Sequence, residues 1–175
     1  MLIWITGLSG SGKSTIARAV YTKIKEKYIN TILLDGDALR SALGNNYGYS
    51  YEERLKGAYQ VSGICRMLNN ENLNVVCATM SLFEEIQTMN RSRVQDYIEV
   101  YLDVSMDELL ERDQKSLYSK ALNGEMKDVV GIDLKFDRPV SADLSLDNNN
   151  LDKLQENIQK ILELAFSRIE GKNIG

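Results

Sequence analysis

The segment Gly7-Leu8-Ser9-Gly10-Ser11-Gly12-Lys13-Ser14 constrains this chain more than any other. It satisfies G-x-x-x-x-G-K-[ST], and it stands between the apolar run Leu2-Ile3-Trp4-Ile5 and a helical spacing of apolar residues at Ile16, Ala17, Val20 and Ile24. Strand, glycine loop and helix in that order make half of a βαβ unit. Glycines at 7, 10 and 12 let the backbone curl until successive N–H groups, aided by the positive end of the helix, face phosphate oxygens. Lys13 is then placed to reach the β and γ phosphates of ATP, and the Ser14 hydroxyl to sit on Mg²⁺. The expected ATP-binding set is Gly7, Ser9, Gly10, Ser11, Gly12, Lys13, Ser14 and Thr15.

Three more short apolar runs, Thr31–Leu34, Leu73–Ala78 and Ile98–Leu102, alternate with helical patterns near 52–70 and 82–95. Leu144–Leu146 reads as a last short strand, and 151–170 as a long amphipathic helix. Alternation of this kind predicts an α/β fold, a three-layer αβα sandwich around a mainly parallel sheet, of the P-loop NTPase type. The polar stretch 113–138 has no clean period and reads as a lid or substrate loop, because long loops in compact domains usually carry function.

Composition narrows the chemistry. A length of 175 residues with 43% apolar and 26% charged side chains fits one domain, 1–175, with a core of its own. The formal charge of −4 argues against a nucleic-acid binder or a protein held on anionic membranes. With no histidine in the chain, the usual zinc sites and histidine-based triads are excluded, so general-base work falls to a carboxylate. Cys65 and Cys77 stand among apolar residues and read as small buried hydrophobes. The apolar run Met1–Thr6 is too short for a signal segment or a membrane span, so the expected location is cytoplasmic.

The second strand ends in Leu34-Asp35-Gly36-Asp37-Ala38-Leu39-Arg40. That puts two carboxylates, Asp35 and Asp37, and one arginine at the carboxyl edge of the sheet, where open α/β sheets bind ligands. A carboxylate there can accept the proton of an attacking hydroxyl, and Arg40 can hold an anionic group of the acceptor. Asp37 is the candidate base. Alone, Asp-Gly commonly marks a plain turn; beside the glycine loop it marks an acceptor site.

Four blocks, GLSGSGKSTIA at 7–17, LDGDALR at 34–40, YSYEER at 49–54 and RDQKSLYSKALNGEMKDVVGID at 112–133, together resemble the adenylyl-sulfate (APS) kinase family in order and spacing. The resemblance implies a kinase for the ribose 3′-hydroxyl of a nucleotide whose phosphate bears a second small group. By it, Asp37 is similar to the family's catalytic aspartate, Arg40 and Arg54 to its substrate-phosphate arginines, and Tyr49 to an aromatic that stacks on the acceptor base. It further implies that Ser81 and Leu82 fall in the family's I-S-P segment, whose serine helps position Mg²⁺ or phosphates. Arg112 would lie near the ATP base, Lys115 and Lys127 near phosphates, Val129, Gly131 and Ile132 along the substrate loop, and Asp133 at its hinge.

The departures from the family cluster around the acceptor. Where it carries N-I-R-R after the substrate arginine, this chain has Gly57-Ala58-Tyr59-Gln60. Charge-assisted contacts of the kind lost there are worth about 1.5–3 kcal/mol each, so a fully anionic sulfate would be held poorly. Val129 replaces the phenylalanine that closes the base sandwich, removing stacking worth roughly 1 kcal/mol and suggesting a pyrimidine. Met80-Ser81-Leu82-Phe83 stands for I-S-P-F and so lacks its rigid turn. In these respects the chain resembles the branch found with surface-polysaccharide genes, which includes cytidine diphosphoramidate kinases. The favoured acceptor is therefore cytidine diphosphoramidate, in a capsular polysaccharide phosphoramidate route; the alternative is adenylyl sulfate. A regulatory P-loop protein hydrolysing ATP without an acceptor is the rival from another class, and the Asp37/Arg40 pair and the lid stretch argue against it. A homodimer, common among the relatives, is expected through apolar faces near 55–68 or 151–165.

Overall fold

The computed structural model describes residues 1–44, 48–113 and 116–171. Five strands, β1 (Leu2–Thr6), β2 (Thr31–Asp35), β3 (Asn74–Ala78), β4 (Tyr97–Asp103) and β5 (Leu144–Asp147), form one sheet in the order β2-β3-β1-β4-β5. Every pairing in it is parallel, Ile3 lying opposite Val76 on one side and Ile98 on the other. β1 occupies the centre and is buried along its whole length, as its uninterrupted apolar sequence requires.

Strand alternation sorts the apolar residues into two layers. Ile3, Ile5, Val76, Ile98 and Val100 face α1 (Lys13–Lys27) and α7 (Leu154–Glu170), meeting Ile16, Val20, Ile24, Ile158 and Ile161. Leu2, Trp4, Val75, Cys77 and Tyr97 face α3 (Tyr51–Asn70) and α4 (Glu84–Arg93), meeting Val61, Cys65, Phe83 and Ile86. The three-layer α/β sandwich is the architecture expected from the pattern. Both cysteines are buried and unbridged. Among the described residues, no helix is long and apolar enough to cross a membrane.

Several boundaries differ from the sequence reading. Two seven-residue helices, α2 (Gly36–Ala42) and α5 (Met106–Arg112), are too short to show a period, and each is set by its cap: Asp35 accepts from Asp37 N and Ala38 N, and Ser105 from Glu108 N. α3 starts on a capping box in which Ser50 and Glu53 exchange side-chain and backbone hydrogen bonds. The helix expected over 82–95 is confined to Glu84–Arg93, because Phe83 and Val94 are extended. A 3₁₀ turn, Leu151–Lys153, precedes α7. The aperiodic stretch 113–138 contains α6 (Leu117–Leu122), and Tyr118 and Val129 root it in a third cluster with Leu8, Leu82, Tyr101 and Leu109.

Candidate active site

Three strand ends build the site at the carboxyl edge. From β1 the chain enters the glycine loop, where space explains two glycines: a Cβ on Gly7 would stand 2.7 Å from Ser11 Oγ, and one on Gly12, at φ +94, 2.8 Å from Asn148 Nδ2. Gly12 caps α1, so the amide end of that helix opens onto a cavity of about 190 Å³. Ser9, Gly10, Gly12, Lys13, Ser14 and Thr15 line one side of it; Asp35, Gly36, Asp37, Ala78, Thr79 and Met80 line the other. Gly7 and Ser11 stand behind the lining and shape it.

Lys13 Nζ donates to Leu8 O at 2.7 Å. Burial pulls its pKa down to about 8, against the opposing pull of Asp37 and Asp35. Ser14 Oγ donates to Asp35 Oδ2 at 2.6 Å, while Asp35 Oδ1 caps α2. Asp35 is thereby fixed by structure on both oxygens. Asp37, the second residue of α2, is held at the cleft by that cap, its own amide donating to Asp35 Oδ1.

A second cavity, about 120 Å³, adjoins the first and shares Gly36, Asp37, Thr79 and Met80 with it. Its remaining walls are Arg40, Tyr49, Arg54, Gly57, Ala58 and Val61. The Arg40 guanidinium lies 4.2 Å from the Tyr49 ring centre and that of Arg54 5.2 Å from it. Arg54 also donates to Tyr49 O at 2.6 Å and to Asp128 O at 2.8 Å, which ties this cavity to the 113–138 stretch. Burial, then the like charge of Arg40, lowers the Arg54 pKa, so an anion bound between the two guanidiniums relieves a repulsion.

Other expected site residues lie elsewhere. Ser81 is fully buried, its backbone exchanging hydrogen bonds with the Thr6 hydroxyl, so Thr79 and Met80 take the cleft wall in its place. Val129 points into the third cluster at 2% exposure; its neighbour Val130 lines a narrow slot with Tyr51, Arg54, Leu82, Phe83 and Phe136. Val129 is therefore a core residue here, and the aromatic lining of the slot comes from Phe83, which Tyr51 meets edge-on at 5.2 Å, and from Phe136. Nothing in the sequence period marked Phe136. Gly131 turns at φ +93, where a Cβ would press Met106 Sδ at 3.3 Å; Ile132 packs on the same cluster, and Asp133 accepts from the amides of Asp128 and Val129. These three shape the loop. Lys127 is exposed and lines neither cavity; Lys115 lies outside the described residues. Arg112 donates to Gly10 O at 3.2 Å and to the carbonyls of Asn148 and Asn149, and so borders the glycine loop. Of the Gly57–Gln60 departure, only Gly57 and Ala58 face the cavity; Tyr59 turns out to donate to Glu85, and Gln60 is exposed, since they sit on the far side of α3.

A parallel sheet whose central strand runs into a phosphate loop, with a second cavity meeting the first at an aspartate, defines a P-loop nucleotide kinase, a phosphotransferase acting on a hydroxyl group. The chain belongs to the adenylylsulphate kinase family, which it matches over residues 1–147. Among curated proteins it is 44% identical to the cytidine diphosphoramidate kinase of Campylobacter jejuni, over 93% of this chain and 94% of that one. It is 33% identical to the adenylyl-sulfate kinase of Clostridium kluyveri, over 97% of this chain and 85% of that one. Among solved structures it resembles the Mycobacterium tuberculosis APS kinase in complex with AMPPNP and APS, with a TM-score of 0.85 and 33% identity over 94% of this chain and 96% of that one.

Proposed function

We propose that the protein transfers the γ-phosphate of ATP to the ribose 3′-hydroxyl of a nucleotide, with cytidine diphosphoramidate as the favoured acceptor and Asp37 as the base. One observation carries this reading: Asp37 stands on the wall common to the phosphate-loop cavity and the Arg40/Tyr49/Arg54 cavity. A hydroxyl presented from the second cavity meets the carboxylate on its way to a phosphoryl group in the first. Arg40 and Arg54 hold the acceptor's phosphate oxygens, and Tyr49, exposed at 56%, offers a ring to its base.

The adjacent oxygens of Ser14 and Asp35 suit a hard cation such as Mg²⁺. When bound there with ATP, the ion would neutralise charge on the β and γ phosphates. Lys13 leaves the Leu8 carbonyl for the same phosphates, while the loop amides bind their oxygens.

The choice of acceptor is supported by the higher identity to the Campylobacter jejuni enzyme and by Gly57 in the cavity wall, where the family resemblance places an asparagine. Adenylyl sulfate is the second reading, favoured by the likeness to the Mycobacterium tuberculosis structure. Coupled ADP release with Mg-ATP, using the two acceptors at equal concentrations and an acceptor-free control, decides between them. The expected result is faster release with the cytidine compound; preference for adenylyl sulfate reverses the assignment, and release independent of both removes the kinase reading.

A pH prediction follows from Lys13. With its pKa near 8 in the free protein, about half of the molecules hold it neutral at that pH. Phosphate oxygens raise the value, so ATP binding at pH 8 should take up close to half a proton through this group, and ATP affinity should fall as pH rises further. Calorimetry in buffers of different ionisation enthalpy measures the uptake; none at pH 8 would show that Lys13 is already fully charged.

A further inference from the structure

Four consecutive carbonyl oxygens of the phosphate loop each accept a hydrogen bond from a side chain. Leu8 O is held by Lys13, Ser9 O by the Tyr118 hydroxyl at 2.8 Å, Gly10 O by Arg112, and Ser11 O by Asn148 Nδ2 at 2.8 Å. The lysine belongs to the loop, but Tyr118 reaches back 109 residues and Asn148 137. Both side chains are deeply buried, each residue being 1% exposed.

The orientation of the Asn148 amide is itself determined. Its Oδ1 accepts from Asn157 Nδ2 at 3.1 Å, which leaves the nitrogen to face Ser11, and its backbone N–H is tied to Asp103 O at 3.0 Å. Asn157 is in turn anchored on Asp147 O at 3.0 Å. In a trans peptide the C=O and the following N–H point in opposite directions. Drawing the carbonyls of Ser9 and Ser11 onto the body of the protein therefore turns the amides of Gly10 and Gly12 the other way, toward the cavity that those glycines line.

We propose that Tyr118 and Asn148 are positioning residues for phosphoryl transfer: they hold the phosphate loop in its binding form before ATP arrives. Neither touches the cavity. They act through the two carbonyls, so that the loop does not have to be ordered at the expense of ATP affinity. The inference rests on ATP occupying this loop and is independent of which nucleotide is the acceptor.

Tyr118→Phe deletes one hydroxyl and keeps the ring; Asn148→Asp keeps the shape but sets a carboxylate oxygen against Ser11 O. Full-length variants are compared with wild type for ATP affinity by calorimetry, for KM and kcat, for acceptor affinity and for Tm. The expected result for Tyr118→Phe is ATP affinity weakened about fivefold, and for Asn148→Asp about thirtyfold, with KM for ATP rising in step. Acceptor affinity should stay within about twofold and kcat should change little, a split that general loosening of the fold does not produce. Tyr118→Phe with wild-type ATP affinity overturns the proposal, as does a parallel loss of ATP and acceptor affinity. If Asn148→Asp does not fold, Tyr118→Phe decides alone. A wild-type protein that fails to bind ATP overturns the reading of the loop itself, which separates that failure from this one.

Discussion

Lys13→Ala is expected to lower phosphoryl transfer by about a thousandfold or more. The ammonium is the cation that the loop itself supplies to the cavity, and burial has already stripped it of much of its hydration, as its lowered pKa records. In that environment its attraction for the β and γ phosphates is worth far more than in water, and alanine removes it while leaving the helix start at Gly12 unchanged. In its proposed role the lysine contacts charge that shifts during transfer, so kcat should fall together with kcat/KM for ATP. The measurement is coupled ADP release at saturating ATP and acceptor. A variant that kept more than a tenth of the wild-type rate would show that the amides alone suffice and that Lys13 only fills the loop, as its bond to Leu8 O would allow.

The second large effect is expected from Asp37→Asn, with kcat lower by a factor of about 10² to 10⁴. Asparagine has the same shape and can still line both cavities, but it cannot take a proton from the acceptor hydroxyl. ATP binding should survive within about threefold, since the loop, Lys13 and Ser14 are untouched. That pairing of lost turnover with retained ATP binding distinguishes Asp37 from Lys13. A wild-type rate in Asp37→Asn would remove the base assignment and leave positioning as the whole of the catalysis. Asp35 is no substitute for it, because its two oxygens are committed to the Ser14 hydroxyl and to the first amides of α2.

The glycine loop and the helix behind it were legible because their form is set by the backbone. A loop that must wrap phosphates needs glycines at fixed offsets and a helix start behind them, and those are written in eight consecutive letters. Asp37 and Arg40 were legible for a similar reason, lying within three residues of a strand end whose position the apolar run announced. Readings that depended on which way a side chain points fared differently. Ser81 and Val129 stand at the expected places along the chain, yet each is buried, Ser81 with its backbone bonded to the Thr6 hydroxyl and Val129 packed in the cluster of Leu8. In both cases a residue next in sequence lines an opening instead, Met80 the phosphate-loop cavity and Val130 the slot beside Tyr51. A shift of one residue is below what an irregular loop lets a sequence specify, since no period of 2 or 3.6 fixes its faces. Likewise Tyr59 and Gln60 looked like part of the altered acceptor wall until the 100° step of α3 put them on its outer side.

What the sequence determined by itself is whatever is local or periodic: the phosphate loop, the two-layered sorting of apolar residues along buried parallel strands, and the carboxylates at the end of β2. What only the tertiary structure decided is the set of partners brought from far along the chain: Tyr118 and Asn148 on the loop carbonyls, Asp128 on Arg54, and the meeting of two cavities at Asp37. Hydrogen bonds between groups 74 to 137 residues apart leave no spacing rule in the sequence. They form because parallel crossovers deliver successive strand ends to the same edge of the sheet, where buried backbone oxygens require donors from whichever segment the packing brings within reach.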